Sequence, residues 1–225
     1  MNKVLEVLSS DWLGIAAQKW KEIPSLYKKS FLIIFIGVNI AFAFETFSFI
    51  VGDHDWGRII NQMRVHSMIK DGRFAMFYLQ YFLTGNNILP VLSNLYIFLI
   101  LSISSVLLCI YWRVPKTLFA FSAIGLLLAI QPYFLLWLWY SFSGLGLTGI
   151  VLFIIIGYML SELAVFAESK TKKTIFIAVP IILFILALGA YPPIINTMAV
   201  VFLGRLIIDI FLDWDVSFEG IKNIL

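Results

Sequence analysis

Residues Ile88 to Trp112 read ILPVLSNLYIFLILSISSVLLCIYW, a run without a single charged side chain. At about 1.5 Å of rise per residue, a helix of that length exceeds the roughly 30 Å hydrocarbon core of a bilayer. The run therefore reads as a membrane span, closed by Arg113 and Lys116 just beyond it. Similar apolar stretches lie on both sides. Phe31 to Val51 precedes it, and Thr117 to about Leu136, Leu145 to Phe166, Thr174 to Ala190 and Ile194 to Leu212 follow. The pattern predicts an all-α, polytopic transmembrane helical bundle of about six spans. The fifth is short and contains Pro180, which predicts a kink or a shallow crossing.

Composition supports the same class. Apolar residues make up 61% of the chain and charged residues 13%, about half the roughly 25% usual in soluble domains. Such a stock cannot furnish the polar exterior of a water-soluble protein of 225 residues. Cys109 is the only cysteine, which excludes an intramolecular disulfide framework and a cysteine-based zinc cluster. A formal charge of +3 is too small to argue for nucleic acid.

Residues 1–30 carry Lys3, Lys19, Lys21, Lys28 and Lys29 among apolar Leu5, Leu8, Trp12, Ile15 and Ala16 at helical spacing. This predicts an amphipathic juxtamembrane helix on the cytoplasmic surface, followed by a transmembrane domain over 31–225. No short apolar core with a small-residue cleavage site follows Lys3, so the segment does not read as a secretory signal peptide. With the N-terminus inside, the inner face also receives Arg113, Lys116, Lys170, Lys172 and Lys173. The outer face receives Arg58, Arg64, Lys70 and Arg73, all in one loop, which suits the positive-inside rule.

That external loop, 52–89, is the long connection of the chain, and long connections are usually functional. It opens with Asp53-His54-Asp55-Trp56-Gly57-Arg58. From Trp56, residues Ile59, Ile60, Met63 and Met68 share a helical face, which predicts an amphipathic helix in the interface. Asp71-Gly72 breaks it. A second helix is predicted from Arg73, with Phe74, Phe77, Tyr78, Tyr81 and Phe82 at helical spacing, ending at Gly85-Asn86-Asn87.

Acids and arginines at the outer lipid boundary suit transfer of a sugar from a lipid-linked phosphate. The acceptor hydroxyl needs a carboxylate to take its proton. The departing lipid phosphate needs fixed positive charge, for which arginine is the better two-pronged partner. Asp53 or Asp55 can supply the base; Arg58, Arg64 or Arg73 can hold the phosphate. Plainer roles stand beside these: either Asp can cap a helix, and the basic residues can grip anionic lipid head groups. His54 and His66 have no regular metal-ligand spacing, and the sequence leaves the use of a divalent metal open. Glu45, near the outer end of the first span, is placed where a donor phosphate or acceptor sugar approaches. Glu162, Arg205 and Asp209 read as structural charges, the last two paired four residues apart. Tyr133, Phe134, Trp137, Trp139 and Tyr140 form an aromatic cluster, either an interfacial belt or rings that stack on sugars.

These pieces together resemble the serotype-conversion (Gtr) glucosyltransferases of O-antigen modification, within the GT-C class. In that family the first external loop opens with paired acids followed three residues later by Arg, matched here by Asp55 and Arg58. Gly72-Arg73-Phe74, Pro90, Gln131-Pro132-Tyr133-Phe134 and Tyr140-Ser141-Phe142 resemble its later motifs in order. The resemblance implies a GT-C-like fold and a bacterial inner-membrane enzyme. It implies transfer of a sugar, glucose by family habit, from a polyprenyl-phosphate donor to a glycan acceptor on the external face. It also implies Asp55 and Asp53 as catalytic acids, Arg58, Arg64 and Arg73 at the donor phosphate, and His54, Glu45, Tyr133, Trp137 and Tyr140 around the substrates. The sequence departs from the family where His54 stands in place of the first acid and Ser143 in place of a further Asp. Family members are longer, so a short or truncated member is expected. A transporter or flippase, or a non-catalytic accessory subunit, is the alternative. Absence of an internal repeat and concentration of charge at the outer boundary favour the transferase.

Overall fold

The computed structural model describes residues 18–47, 73–84, 90–131, 141–191 and 193–222. Eight helices are described: α1 (Ser25–Ala41), α2 (Ala43–Phe47), α3 (Phe74–Thr84), α4 (Pro90–Tyr111), α5 (Leu118–Ala129), α6 (Ser141–Val165), α7 (Lys170–Leu188) and α8 (Ile194–Lys222). No strand occurs among the described residues, so the expected all-α architecture holds. Four helices are long and apolar enough to cross a membrane: Val91–Tyr111, Gly144–Val165, Lys170–Leu188 and Ile194–Phe211. Their order and bounds follow the hydropathy closely.

The first expected span is built from two pieces. Pro24 stands at the start of α1, where its missing N–H costs nothing. The helix runs to Ala41, pauses at Phe42 and resumes as α2, because Phe42 N–H still bonds Val38 O and Thr46 N–H bonds Phe42 O. Together they extend about 34 Å at helical rise. The third expected span is helical only from Leu118 to Ala129, about 18 Å. Thr117 caps its start by accepting from Ala120 N–H at 3.2 Å. Its end comes just before Gln131-Pro132, where the proline disfavours helix in the residue before it. Pro180 lies buried inside α7, which continues through it at the loss of one backbone hydrogen bond.

α4 and α6 form the centre of the bundle. Their apolar windows are 56% and 61% buried, against 11% and 17% for α7 and α8, which leave most of their surface uncovered by the rest of the chain. α5 crosses α1 closely, since Gly125 lies under Ile34 and Gly37 under Leu126 with no room for a Cβ at either position. α3 packs on α6, with Met76 lodged over Gly146. Only part of its aromatic stripe packs: Phe74 fills the space at Gly189, whereas Tyr78, Tyr81 and Phe82 are exposed, and Ala75 and Met76 are buried. The spacing of the aromatics located this helix, and Phe74, Ala75 and Met76 seat it.

Candidate functional site

Connectivity puts the end of α2, the start of α3, the start of α4 and the α7–α8 turn at one end of the bundle. The sequence reading places that end outside. Phe42 and Phe98 stack with ring centroids 5.9 Å apart and lock the α1–α2 junction against α4. One helical turn farther toward this end, α2 presents Thr46 and α4 presents Asn94, and both are buried. Glu45 lies beside Thr46. Among the described residues, Glu45 Oε2, Thr46 Oγ1 and Asn94 Oδ1 have no hydrogen-bond partner. A buried polar atom left unpaired costs about 1–3 kcal/mol; Ser30, Ser104, Ser122 and Asp209 Oδ1 are also unpartnered elsewhere in the bundle, and these three are the ones toward this end. Asp53 follows Phe47 by six residues in the chain.

Arg73 belongs to the same end but a different wall. It opens α3, which is tied to the α7–α8 turn by Ala75 N–H donating to Gly189 O at 3.1 Å. Gly189 must lack a side chain because the Phe74 ring occupies the position of its Cβ. The Arg73 guanidinium stands 5.4 Å from the Tyr191 ring centroid. Among the described residues no carboxylate pairs with it, and no bond joins it to Glu45. An arginine held by an aromatic face keeps its N–H fork available for an anion.

The other expected site residues, Asp53, His54, Asp55, Arg58, Arg64, Tyr133, Trp137 and Tyr140, lie outside the described residues, as do the helix expected after Trp56 and the segment before residue 18. Among the described residues no group of three His, Cys, Asp or Glu side chains is placed to hold a metal ion. Thr46 and Asn94 escaped the sequence reading. The available signal was an amide and a hydroxyl inside otherwise apolar runs.

The opposite end carries a closed ionic cluster. Glu162 Oε1 accepts from Arg205 at 2.8 Å and from Arg113 at 3.1 Å. Asp209 Oδ2 accepts from Arg205 Nε at 2.8 Å, and its Oδ1 lies 3.4 Å from Arg113 without hydrogen-bond geometry. Arg205 also donates to the Tyr111 carbonyl. Arg113 is the fourth member that the i, i+4 pairing of Arg205 with Asp209 did not reveal. It adopts a left-handed backbone, φ 55°, at the end of α4. There Arg113 N–H bonds Ile110 O and Val114 N–H bonds Cys109 O, the paired bonds of a helix C-terminal turn. Glycine is the usual residue at such a position. Arginine accepts the backbone cost and gains a guanidinium aimed at two carboxylates.

Between the two ends, a cavity of about 130 Å³ lies among α4, α5, α6 and α8, reaching from Trp112 to Gln131. Its walls are mainly apolar, with Ser104, Ser105 and Thr197 as polar exceptions. Trp112 Nε1 donates to Val201 O at 3.0 Å, and Gly204 accommodates the indole.

Fold and site together define a multi-pass helical membrane protein with buried, unpartnered side-chain oxygens of Glu45, Thr46 and Asn94 toward one end and a four-membered ion-pair cluster at the other. Residues 42–224 match the family described as Glucosyl transferase GtrII. The match covers most of the chain, from the α1–α2 junction through α8, and the protein belongs to that family. It is accordingly a member of a group of glycosyltransferases, and the Gtr resemblance read from Asp55, Arg58 and the later motifs is upheld. No curated protein matches the chain, and no solved structure does.

Proposed function

We propose that this protein transfers a glucosyl unit from a polyprenyl-phosphate donor to a surface glycan such as O-antigen, at the end of the bundle that carries Glu45, Arg73 and the loop 52–89. The carrying observation is the family match, which spans the acid–arginine stretch as well as the helices that frame it. The buried, unpartnered oxygens of Glu45, Thr46 and Asn94 at that end support the same placement. The protein sits in a bacterial inner membrane with its N-terminus in the cytoplasm, so transfer takes place on the external face.

In this reading the Asp55 carboxylate takes the proton of the acceptor hydroxyl as its oxygen attacks the anomeric carbon. The bond from that carbon to the donor phosphate breaks, and its electron pair leaves on the phosphate. Arg58, Arg64 and Arg73 stabilise the charge that develops there. Asp53 and His54 flank the base, while Glu45, Thr46 and Asn94 offer acceptors and a donor to sugar hydroxyls. Tyr133, Trp137 and Tyr140 offer aromatic faces to the rings. Phosphate is already a good leaving group, so the step requires no separate general acid. A divalent metal would lend further positive charge.

The test is transfer in membrane vesicles of both orientations, supplied with polyprenyl-phosphate glucose and a glycan acceptor. Transfer is expected only where the loop 52–89 faces the acceptor. Reporters fused within 52–89 and at Lys170 to Lys173 fix the orientation independently and are expected on opposite sides, the second cytoplasmic. Reversed labelling removes the donor side proposed here. Donor movement across the membrane without glycan labelling would instead favour a flippase.

A further inference from the structure

A groove of about 310 Å³ lies between α1 and α4 at the lysine-bearing end of the bundle, outside every feature described so far. Tyr27 and Phe31 form one wall, and Ile103, Leu107 and Ile110 form the other. Pro24 closes it, and Trp20 and Lys28 stand at its mouth. The Lys28 ammonium lies 5.5 Å from the Trp20 ring centroid and donates to the Lys21 carbonyl. Water gains little in such a groove because its walls offer few hydrogen-bond partners. A hydrocarbon chain loses nothing there.

The rim supplies the second half of the recognition. Lys19 is neutralised by Glu22 at 2.7 Å. Lys21, Lys28 and Lys29 have no carboxylate partner among the described residues. Lys28 at the tryptophan above an apolar slot, with Lys29 next to it in the chain and Lys21 in backbone contact with it, matches an acyl chain with a phosphate at its head. The glycosyl donor is not the natural occupant. Glu45 lies 17 residues beyond Lys28 along α1 and α2, about 25 Å at helical rise, so a phosphate at Lys28 is remote from the transfer site.

We propose that this groove is a binding site for an anionic phospholipid of the leaflet at the lysine end, with its phosphate at Lys28 and Lys29 and one acyl chain between Phe31 and Leu107. The lipid then fastens the segment before α1 to α4 at the point where the chain enters the membrane. This assignment does not depend on the direction or chemistry of sugar transfer.

The test uses the full chain purified in detergent, with phosphatidylglycerol and phosphatidylcholine as probes, native mass spectrometry to count retained lipid, and thermal unfolding as a second readout. The parent is expected to retain one phosphatidylglycerol and to gain about 5 °C in Tm from it, with little response to phosphatidylcholine. Leu107→Trp fills the slot and leaves every lysine in place; it is expected to lower retention by about tenfold. Lys28→Gln is expected to do the same with the slot open, and Lys28→Arg to restore binding. Should Leu107→Trp fail to fold, Ile103→Trp and the surface change Lys28→Gln carry the comparison. Unchanged retention when the slot is filled would reduce the effect to diffuse attraction by lysines and overturn the site. Equal retention of phosphatidylcholine, preference for polyprenyl phosphate, or no retained lipid in the parent would each overturn it too. So would binding that appears only after residues 1–17 are deleted, since that segment would then be the occupant.

Discussion

The two ends of this bundle handle polar groups in opposite ways. At the lysine-bearing end, Arg113, Glu162, Arg205 and Asp209 bring two positive and two negative charges together, and each finds an opposite partner. At the other end, Glu45, Thr46 and Asn94 are drawn into the helix packing without partners among the described residues, and Arg73 rests on an aromatic ring instead of a carboxylate. A cluster whose charges are paired, with only Asp209 Oδ1 lacking a hydrogen bond, acts chiefly on the fold. A layer with open valence weakens the fold unless something binds. Intramembrane charge alone therefore does not identify a site; its degree of satisfaction does.

The comparison is broken most directly at Asp55. Asp55→Asn keeps the size and most of the capping ability of the side chain but removes the proton acceptor. Sugar transfer is expected to fall by a factor of about 10² or more, with protein level and melting unchanged, while Asp53→Asn costs much less. Full transfer by Asp55→Asn in membranes holding equal amounts of protein would take the chemistry away from this stretch.

Next in size is the removal of the buried arginine from the closed cluster. Arg205→Met leaves Glu162 and Asp209 without their central partner. Breaking a buried ion pair costs about 3–5 kcal/mol. Glu162 and Asp209 are 36% and 34% exposed, so water shares the loss and about 2 kcal/mol is expected. Unfolding in detergent micelles measures it. Turnover per folded molecule should not change; a fall in turnover with full stability would make the cluster functional.

Asn94→Leu and Thr46→Val sharpen the contrast, because their two effects should have opposite signs. Each deletes an unpaired buried polar atom, so stability is expected to hold or rise slightly. kcat/KM for transfer is expected to fall by about tenfold for Asn94→Leu, the value of one lost hydrogen bond to a substrate hydroxyl. A drop in melting temperature without a change in kcat/KM would show that these groups serve packing alone.

The smallest effect is expected at Arg113. Arg113→Gly relieves a left-handed backbone worth about 1–2 kcal/mol and gives up two half-exposed ion pairs, to Glu162 and Asp209, each worth about 0–1 kcal/mol. Gain and loss nearly cancel, so unfolding measurements should place the variant within about 1 kcal/mol of the parent. A loss well beyond that would mean that the cluster acts as one unit in which Arg113 is indispensable.

Class, helix order and most helix bounds were legible in the sequence, because a bilayer imposes a length and an apolar composition that each segment must meet alone. α4, α6, α7 and α8 lie where apolar runs put them. The start of α1 and the end of α5 differ from the apolar runs, which predicted Phe31 and about Leu136; the helices instead begin after Pro24 and end before Pro132. The family was legible too, since residue type and order carry the resemblance, while the acid–arginine stretch around Asp55 lies outside the described residues.

Which of those residues meet was decided only by the tertiary structure. Nothing in the spacing of Arg113, Glu162 and Arg205 joins them; α4, α6 and α8 bring them together at one end. Asn94 is an ordinary polar residue in an apolar run until Phe42 and Phe98 stack and bury it beside Thr46. The aromatic stripe of α3 marks the helix in the sequence, yet only Phe74 of it, against Gly189, joins Met76 over Gly146 in docking the helix. Membrane hydropathy acts on one segment at a time, so it can be read residue by residue. Hydrogen-bond satisfaction and close packing depend on pairs of atoms distant in the chain, so they exist only once the helices have been brought side by side.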